Sequence, residues 1–528
     1  MPSQEAAGTG NGPGWPLREL LARAIDSPGF QVPAFTDGIW VTQVTDDSRA
    51  VTRGACFVAI QGVRRDGARF VQDAVARGAV VVVTDRDVPV PAPAVAVRVA
   101  DARRALARLA SVHAGLADRN WTTGPGTLRI IGVTGTNGKS TTCFLTRAIL
   151  AAAGRPAALV GTIQYDLLSQ RVDAPMTTPP AVQLIGYLKT ALDAGATHAV
   201  MEVSSHALDQ RRTDGLRFDV GVFTNLTGDH MDYHGDPEAY RLAKRRLFDG
   251  LDASATAVIN VESALGDSMV EACRARVVRF GLRPGPDYVA RIRSIDATGT
   301  RFDLIAEGLS VPVRLHLAGR HNVENALAAA AAARCVAGGG VEWEHVVRGL
   351  ESVASVRGRL ERVRVRSGGE PPFSVLVDYA HTDDALENVL SALRPLAPNG
   401  LTVVFGCGGD RDRTKRPRMA RVAERWADRI VVTSDNPRSE RPEDIIEEIL
   451  TGFSPEGRSK VRVEPDRRQA IRHAIMTAVP GEVILLAGKG HETYQDFGTH
   501  RTHFDDAEEA AEVLAAVAAA GRCGGEAA

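Results

Sequence analysis

Cysteine is scarce in this sequence: six occur in 528 residues, and no two of them form a C-x-x-C pair. That scarcity excludes a disulfide framework and a zinc ribbon, and it favours a reducing compartment. Runs of about 18 apolar residues are also missing, which excludes a membrane-spanning helix. The first sixteen residues contain neither a basic segment nor an apolar core, so they predict a loose tail and no secretory signal. We therefore expect a cytoplasmic protein.

Aromatic residues make up only 5% of the chain, and 63 Lys and Arg residues are balanced by 64 Asp and Glu residues, for a formal net charge of -1. A chain so close to neutral lacks the basic surface that binds nucleic acid or anionic membrane, and it has few aromatics to stack on single strands. We therefore expect neither nucleic acid nor a membrane as partner, and we expect a monomer. At about 150 residues per domain, the length predicts three or so domains.

Short apolar runs alternate with helix-like stretches along almost the whole chain. This alternation predicts an α/β fold built from βαβ units with mostly parallel sheets. We divide the chain into a flexible tail over residues 1–16 and three domains over residues 17–124, 125–355 and 356–528. Ligands bind at the carboxyl ends of the strands in such sheets, and nearly every unusual polar string here follows an apolar run. These strand ends are therefore the candidate functional sites.

The first of these strings is GVTGTNGKST, which begins at Gly132. A strand precedes it, and a helix is predicted to begin at about Ser140. Backbone N–H groups at such a helix start cradle phosphates, Lys139 can offset their charge, and Ser140 or Thr141 can reach Mg²⁺. Valine stands at position 133, where strict P-loop spacing requires glycine, and the alternative is a glycine-rich turn with a solvated lysine. The predicted nucleotide-binding residues are Gly135, Thr136, Asn137, Gly138, Lys139, Ser140 and Thr141.

Two further strings, EVSSHAL and FTNLTGDH, place a carboxylate and an imidazole at the ends of neighbouring strands. Glu202 is an oxygen ligand of the kind that Mg²⁺ prefers, whereas His230 is a less usual ligand. The alternative is that His206 and His230 only cap loops by hydrogen bonding. Lys244 belongs to a helix predicted from about Pro237, and on composition alone it is one surface lysine in a basic run.

Four more strings follow apolar runs in the last third of the chain, and together they predict a binding rim. They are DYAH from Asp378, GGDRD from Gly408, DNPR from Asp435 and GKGHE from Gly488. Arg438 follows a proline-stiffened turn, where a planar guanidinium can bind a carboxylate through two hydrogen bonds. The alternative is a surface ion pair between Arg438 and Glu440 or Glu443.

Taken together, these strings resemble the Mur ligase family, the ATP-dependent amino-acid ligases of bacterial peptidoglycan precursor synthesis. The resemblance spans about Asp47 to Asp505. Its motifs are DSR, GVTGTNGKST, TTP, EVSSHAL, FTNLTGDHMDYHG, HNVENALAA, GRLERV, DYAHT, GCGGDRDRTKRP, SDNPR and GKGHE. It implies an N-terminal domain that binds UDP-MurNAc, a central P-loop-type ATPase domain and a C-terminal Rossmann-like domain that binds an amino acid. The implied reaction adds 2,6-diaminopimelate to UDP-N-acetylmuramoyl-L-alanyl-D-glutamate (UDP-MurNAc-L-Ala-D-Glu) with ATP, through an acyl phosphate, in the bacterial cytoplasm.

The resemblance also implies a role for each matching residue. It makes Lys139, Glu202, His230 and Lys244 catalytic. It implies that Mg²⁺ is bound by Ser140, Thr141, Glu202, His230 and Lys244, with Lys244 as an N-carboxylated lysine (carbamate). Nucleotide contacts outside the glycine-rich loop would be Asn325, Arg359 and Asp378. The muramoyl-dipeptide nucleotide would contact Ser48, Thr177, Thr178, Ser204, Gln210 and Arg212. Diaminopimelate would contact Arg411, Asp435, Asn436, Pro437, Arg438, Gly488 and Glu492.

Two positions depart from the family pattern: Arg357 stands where proline usually precedes Gly358, and Asp383 replaces the proline that usually follows DYAHT. Alternatives within the class are a lysine-adding relative and a folylpolyglutamate-type ligase. The alternative outside the class is a nucleotide-dependent binding or regulatory protein that has lost ligation. The residues that argue against it are the intact Glu202, His230, Lys244 and Arg438.

Overall fold

The computed structural model describes residues 14–62, 66–121, 126–228, 231–296, 298–336, 340–365 and 371–524. The strands are β1 (Trp15–Pro16), β2 (Trp40–Val41), β3 (Gln43–Thr45), β4 (Ala55–Val58), β5 (Ala79–Thr84), β6 (Val95–Arg98), β7 (Arg129–Thr134), β8 (Ala157–Val160), β9 (Gln164–Asp166), β10 (Arg171–Asp173), β11 (His198–Glu202), β12 (Val220–Phe223), β13 (Thr256–Asn260), β14 (Arg276–Gly281), β15 (Tyr288–Asp296), β16 (Gly299–Ala306), β17 (Leu309–Leu315), β18 (Glu361–Arg362), β19 (Ser374–Asp378), β20 (Leu401–Phe405), β21 (Arg429–Val432), β22 (Val461–Val463), β23 (Val483–Ala487), β24 (Tyr494–Asp496) and β25 (Arg501–His503).

The α-helices follow in the same chain order. They are α1 (Leu17–Ala24), α2 (Val71–Ala76), α3 (Ala102–His113), α4 (Ala117–Asn120), α5 (Lys139–Ala152), α6 (Ala181–Asp193), α7 (Ser205–Asp209), α8 (Met231–His234), α9 (Pro237–Asp249), α10 (Arg320–Val336), α11 (Trp343–Ser352), α12 (Asp383–Leu393), α13 (Lys415–Trp426), α14 (Pro442–Leu450), α15 (Arg467–Met476) and α16 (Asp506–Gly524).

The chain forms two compact units, and the first comprises Met1–Gly132 and Arg155–Asp219. Its N-terminal part is a parallel sheet in the order β3-β4-β5-β6, on which α3 packs. Its second part carries the strand order β10-β9-β8-β11-β7, in which β8 and β11 are parallel. The carboxyl end of β11 places Glu202 and the residues after it at one edge of this sheet.

The second unit comprises Val133–Gly154 and Val220–Ala528. Strands β12, β13 and β14 run parallel, and the antiparallel strands β15, β16 and β17 extend them. Helix α5 packs against α10 and α11, and the contact with α11 is so close that a Cβ on Gly349 would lie 2.4 Å from the Ile149 Cα. The absence of a side chain at Gly349 allows this approach of the two helix backbones.

The C-terminal part of the second unit is a six-stranded sheet in the order β18-β19-β23-β20-β21-β22. Its apolar side chains alternate between two cores, one containing Val403 and Leu485 and the other Val404 and Leu486. Both faces are therefore covered, which explains why these strands read as continuous apolar runs.

The predicted α/β fold with mostly parallel sheets is confirmed, and two local features differ from the prediction. Trp15 and Pro16, assigned to the tail, pair with Val41 and Trp40 as a short antiparallel strand. The antiparallel strands β15 to β17 were not predicted, because single apolar runs do not reveal strand direction. Residues 1–13 of the predicted tail lie outside the described residues. Across the described parts of the chain, none of the helices combines the length and hydrophobicity needed to cross a membrane.

Candidate functional site

The glycine-rich loop between β7 and α5 requires glycine at two positions. Gly135 and Gly138 have positive φ angles of 147° and 86°. A Cβ at Gly135 would lie 1.9 Å from the Thr224 Oγ1, and a Cβ at Gly138 would lie 2.4 Å from the Asn325 Oδ1. The loop is therefore held in one conformation from which a larger side chain is excluded.

Lys139 is the first residue of α5, one residue before the predicted helix start. Its half-buried side chain folds back over the loop, where the Nζ donates hydrogen bonds to the Gly135 carbonyl at 3.0 Å and the Thr136 carbonyl at 2.7 Å. Ser140 and Thr141 follow and are buried. The loop thus combines a helix N-terminus, a lysine and two hydroxyls, which is the set that binds phosphate and its metal ion.

Helix α9 lies against the same loop and carries Lys244. The Lys244 side chain is only 1% exposed, so the interpretation of it as a surface lysine is wrong. Its Nζ donates to the Gly135 carbonyl at 2.8 Å and lies 4.5 Å from the centre of the Tyr240 ring. The Tyr240 hydroxyl in turn lies 3.1 Å from the Thr136 Oγ1. Tyr240 therefore joins the helix to the loop, a role that the sequence motif did not reveal.

The string after β12 supports the loop from another side. The Thr136 N–H donates to the Asn225 carbonyl and the Asn137 N–H donates to the Asn225 Oδ1, each at 2.9 Å. The Thr224 hydroxyl donates to the Asn137 carbonyl at 2.6 Å. The sequence motif alone predicts no individual role for Asn225, and the structure makes it a main support of the loop. His230 lies outside the described residues.

Residues of the C-terminal part of the second unit also reach the glycine-rich loop. Arg359 donates from its Nη2 to the Ser140 Oγ at 3.0 Å, and its guanidinium lies 4.8 Å from the centre of the Tyr379 ring. The Asp384 Oδ2 accepts a hydrogen bond from the Asn137 Nδ2 at 3.2 Å. Sequence reasoning missed Asp384, because nothing in its local pattern points to a partner nearly 250 residues away.

Asn325 and Asp378 were both predicted to contact the nucleotide. Asn325 is buried on α10, where its Nδ2 donates to the Asn322 Oδ1 at 3.1 Å. The Asp378 carboxylate accepts the backbone N–H groups of Leu360 at 2.7 Å and Ala380 at 2.9 Å. Burial raises the pKa of Asp378, although the nearby Arg359 charge opposes the shift. Asp378 therefore fixes the segment that carries Arg359.

Glu202, at the end of β11 in the first unit, is a buried carboxylate that Thr162 and Gly161 contact closely. Its Oε1 accepts the Thr162 N–H at 2.8 Å and its Oε2 accepts the Thr162 hydroxyl at 2.9 Å. A Cβ on Gly161 would lie 2.4 Å from the Oε1. The Thr162 hydroxyl also lies 3.0 Å from that of Thr177. Thr162 is thus a further site residue, although the sequence motifs gave no signal for it.

Four of the residues predicted to bind the muramoyl-dipeptide nucleotide are joined by hydrogen bonds. The Thr178 hydroxyl donates to the Glu202 carbonyl at 2.9 Å and accepts the Ser204 N–H at 3.1 Å. Arg212 donates to the Thr178 carbonyl and to the Gln210 Oε1, both at 2.7 Å. Ser48 belongs to the N-terminal part of the same unit, where it is buried and hydrogen-bonds the Asp73 carboxylate.

The strings after β21 and β23 form a second buried polar cluster, which we call the Lys489 cluster (Asp435, Asn436, Lys489 and Glu492). Fully buried Lys489 lies with its Nζ 3.2 Å from the Asn436 Oδ1, 3.4 Å from the Glu492 Oε2 and 3.6 Å from the Asp435 Oδ1. The Asn436 Nδ2 donates to the Glu492 Oε2 at 2.8 Å. Lys489 was not among the predicted site residues.

The pKa values of the two carboxyl groups in the Lys489 cluster are shifted in opposite directions. Burial and the neighbouring Asp435 carboxylate raise the pKa of Glu492. Burial alone would raise the pKa of Asp435 too, but the positive charges of Lys489 and Arg467 bring it below its usual value. Gly488 borders the cluster with a φ of 111°, and a Cβ there would lie 3.1 Å from the Asp435 Oδ2.

Arg438 follows this cluster in an unusual backbone conformation. Its φ is 50°, a left-handed value that costs a non-glycine residue about 1–2 kcal/mol. The Arg438 N–H donates to the Asp496 carbonyl at 2.9 Å, and its Nη1 donates to the Gly409 carbonyl at 2.6 Å. Glu440 instead pairs with Arg416 at 2.9 Å, so the alternative of an Arg438–Glu440 ion pair is wrong.

Two predicted diaminopimelate contacts and the two positions that depart from the family pattern remain to be placed. Arg411 is exposed and Pro437 is buried. Arg357 pairs with the Asp505 carboxylate, and Asp383 begins α12 and pairs with Arg418 at 3.0 Å. Each departure thus gains an ion pair. Among the described residues, no three His, Cys, Asp or Glu side chains cluster to hold a metal ion.

Three family models match the chain. They are the "Mur ligase family, catalytic domain" over residues 41–114, the "Mur ligase middle domain" over 133–333 and the "Mur ligase, glutamate ligase domain" over 358–490. A UDP-N-acetylmuramoyl-L-alanyl-D-glutamate–2,6-diaminopimelate ligase from Geobacter sulfurreducens is 44% identical over 515 residues, which cover 93% of this chain and 97% of that protein.

Two solved structures extend the comparison. The structure of a UDP-N-acetylmuramoyl-L-alanyl-D-glutamate–2,6-diaminopimelate ligase is 33% identical with a TM-score of 0.68, and the match covers 96% of this chain and 99% of that one. Mycobacterium tuberculosis folylpolyglutamate synthase complexed with ADP is 21% identical with a TM-score of 0.57, over 72% of this chain and 90% of that one. The second likeness is one of fold alone.

Proposed function

This chain belongs to the Mur ligase family, and we propose that it is the ATP-dependent ligase that adds 2,6-diaminopimelate to UDP-MurNAc-L-Ala-D-Glu. The observation that carries the proposal is the glycine-rich loop, where Lys139, Ser140 and Arg359 meet over backbone that only glycine permits. The relative that is 44% identical over 93% of the chain bears the name of this activity. We further propose a monomer that acts in the bacterial cytoplasm.

ATP is the co-substrate of this family, and we propose that its phosphates lie on the backbone N–H groups of residues 135–138 and the start of α5. The glutamyl carboxylate attacks the γ-phosphate, and ADP leaves as an acyl phosphate forms. Two anions must approach each other in this step, so positive charge and in-line placement supply most of the catalysis. Lys139 would exchange its carbonyl contacts for phosphate oxygens, and Arg359 would stabilise the transferring group. Asn325 and Asp378 would position the nucleoside.

The hydrogen-bonded group Thr178, Ser204, Gln210 and Arg212, together with Thr177, would hold the dipeptide end of the nucleotide substrate, and Ser48 would hold its uridine end. The Arg212 guanidinium already donates to two oxygen acceptors, a geometry that a substrate carboxylate matches. These contacts would place the substrate carboxyl group for attack.

Mg²⁺ prefers oxygen ligands, and several residues that the family resemblance names can each supply oxygen. Glu202 is a buried carboxylate, Ser140 and Thr141 supply hydroxyls, and a carbamate on Lys244 would supply oxygens in place of an ammonium. We propose these residues, with His230, as the ligands. When bound, the ion would offset the negative charge that builds up on the transferring phosphoryl group.

The carbamate is tested with Lys244→Ala, which we expect to be nearly inactive because an oxygen ligand is lost. Formate should partly restore ligation by occupying the vacated position. In the wild-type protein, ¹³C-labelled bicarbonate should give a carbamate signal in the ¹³C NMR spectrum, and Lys244→Ala should lack it. An unmodified lysine in the fully liganded protein would contradict the proposal.

We propose that the Lys489 cluster and Arg438 recognise diaminopimelate, aided by Arg411 and Gly488. Arg438 would bind the distal carboxylate, and Glu492 the distal ammonium. The α-amino group nearest the acyl phosphate then attacks the activated carbonyl, the amide bond forms and phosphate leaves.

The function is tested by measuring phosphate release from ATP with UDP-MurNAc-L-Ala-D-Glu and a panel of amino acids. Release should require both co-substrates, and meso- or LL-diaminopimelate should support it far better than lysine or ornithine. Efficient lysine addition would favour the lysine-adding alternative, whereas ATP hydrolysis without either substrate would favour a regulatory protein.

A further inference from the structure

A small cavity in the second unit lies outside the proposed ligation site. Its volume is about 190 Å³, and it is bordered by the β15–β17 hairpins, the segment after α11 and the start of the C-terminal sheet. Its polar lining consists of Arg314, His316, Arg362, Arg364, Thr298 and Ser355. Among the described residues that line it, none is acidic. Arg314 and Arg364 therefore border one partly open space whose described lining residues include no carboxylate.

Local structure explains how the arginines reach this position. In β17, Val313 and Leu315 are buried, so the alternation of the strand turns Arg314 away from the core. Arg362 pairs with Leu376 across β18 and β19, and Arg364 follows two residues later on the same side of the chain. Many arginines of this protein pair with Asp or Glu, yet Arg314 and Arg364 form no ion pair with any described residue.

The nearest acidic group to Arg314 is already occupied. The Glu351 Oε1 accepts the backbone N–H of Arg314 at 2.9 Å, so this carboxylate fixes the strand instead of pairing with the guanidinium. Arg314 and Arg364 carry like charges beside the same space, and an anion bound between them would reduce their mutual repulsion.

We propose that this cavity binds a phosphate-class dianion, either inorganic phosphate or a small phosphomonoester. Guanidinium groups bind phosphate oxygens through paired hydrogen bonds, and the Thr298 and Ser355 hydroxyls add donors. A volume of 190 Å³ is room for on the order of six water molecules, enough for a phosphate group with a small substituent.

The position of the cavity gives the bound anion a structural consequence. Leu360 and Leu376 line its apolar wall, and the Leu360 N–H is the group that Asp378 accepts at 2.7 Å. An anion held by Arg314 and Arg364 would connect the β17 strand to the segment after β18. We therefore expect anion binding to raise the thermal midpoint of the second unit.

The test is calorimetric titration of inorganic phosphate and, separately, glucose 6-phosphate into the full-length protein. A non-hydrolysable ATP analogue with Mg²⁺ occupies the glycine-rich loop throughout, so that this loop does not contribute to the signal. The variant Arg314→Ala/Arg364→Ala removes two exposed side chains, and Arg462→Ala/Arg472→Ala is a control with the same charge change away from the cavity. Chloride at equal ionic strength is the second control.

We expect at least one of the two phosphates to bind the wild type and the control variant, with affinity lower by tenfold or more in Arg314→Ala/Arg364→Ala. Binding of phosphate alone would identify the free ion as ligand, and binding of glucose 6-phosphate alone would identify a phosphomonoester. Equal affinity in all three proteins, no binding, or an equal effect of chloride would overturn the proposal. Ligation is measured separately, and we expect the cavity variant to ligate at the wild-type rate without added anion, so a failure of the proposed function is distinguishable.

Discussion

Replacing Lys489 by methionine should destabilise the C-terminal sheet and weaken amino-acid binding. Met is close to Lys in length but carries no charge, so the substitution leaves the buried Asp435 and the partly buried Glu492 without their shared cation. At the 3.6 Å that separates the Lys489 Nζ from the Asp435 Oδ1, two unit charges interact by about 5 kcal/mol at an effective dielectric constant of about 20. Breaking a buried ion pair from one side costs about 3–5 kcal/mol, so a loss of this size is expected.

The loss is measured by hydrogen exchange of the amides in β21 and β23, the strands that precede the cluster. Local exchange is preferable to a single unfolding midpoint, because a chain of several domains does not unfold in two states. The control Lys460→Met removes an exposed lysine, and it should change the free energy of opening obtained from exchange by less than about 0.5 kcal/mol. The double variant Lys489→Met/Asp435→Asn should be more stable than Lys489→Met alone, because it removes the carboxylate left unpaired.

Kinetics separate a role in positioning from a role in stability alone. Lys489→Met should raise the KM for diaminopimelate more than tenfold while ATP binding stays near normal. Loss of the lysine charge should raise the pKa of Glu492 further, so the variant KM should improve as pH increases and Glu492 ionises. If Lys489→Met keeps wild-type exchange rates and a wild-type KM, the lysine is neither a structural cation nor a positioning residue, and the reasoning is refuted.

Three further predictions concern single residues. Lys139→Ala should lower phosphate release at least 100-fold while the chain still folds, because the Lys139 ammonium lies over the glycine-rich loop and would offset the charge of the transferring phosphate. Near-normal turnover would contradict the phosphate role. Arg438→Ala should raise the KM for diaminopimelate more than tenfold, and in a competition assay it should prefer diaminopimelate over lysine less strongly than the wild type does. Unchanged selectivity would count against a contact between Arg438 and the distal carboxylate. Burial and the neighbouring Arg155 and Arg129 charges lower the pKa of His198 to about 4, so the unfolded chain binds the additional proton between about pH 6.5 and 4 and stability falls as pH falls through that window. The thermal midpoint of His198→Gln should therefore fall less steeply with pH in this window than that of the wild type. The exposed control His503→Gln should not show this smaller slope. If His198→Gln and the wild type give parallel curves of thermal midpoint against pH, the lowered pKa of His198 is excluded.

Much of the fold and the glycine-rich loop follows from local sequence. Apolar runs bounded by glycine and polar residues identify β7, β11 and β23, because a buried parallel strand needs apolar side chains on both faces. Gly135 and Gly138 are readable as glycines of a tight loop before a helix. The strand direction of β15 to β17 is not readable, because pairing partners are set by contacts far apart in sequence.

Lys244 shows where composition misleads and periodicity would have helped. The buried residues of α9 include Tyr240, Lys244 and Leu247, which stand at i, i+4 and i+7. That spacing places the lysine on the apolar face of the helix, a signal that the basic run around it conceals. By contrast, Thr162 and Asp384 contact the site through partners 40 or more residues away, and no local pattern predicts them.

A buried charge alone does not identify a functional site in this chain. The balance of positive and negative groups within each buried cluster is more informative. Arg467 and Asp506 are both fully buried, but they pair through two hydrogen bonds of 2.7 and 2.6 Å and balance each other. Within the Lys489 cluster, two carboxylates contact one lysine, so full ionisation leaves the four residues with one net negative charge, which the Arg467 and Lys415 charges outside the cluster act on at Asp435. Burial, together with the neighbouring Asp435 carboxylate, raises the pKa of Glu492 in the unliganded protein. A ligand ammonium would supply the missing positive charge and allow Glu492 to ionise, which is why the cluster is suited to an amino acid with a second amino group.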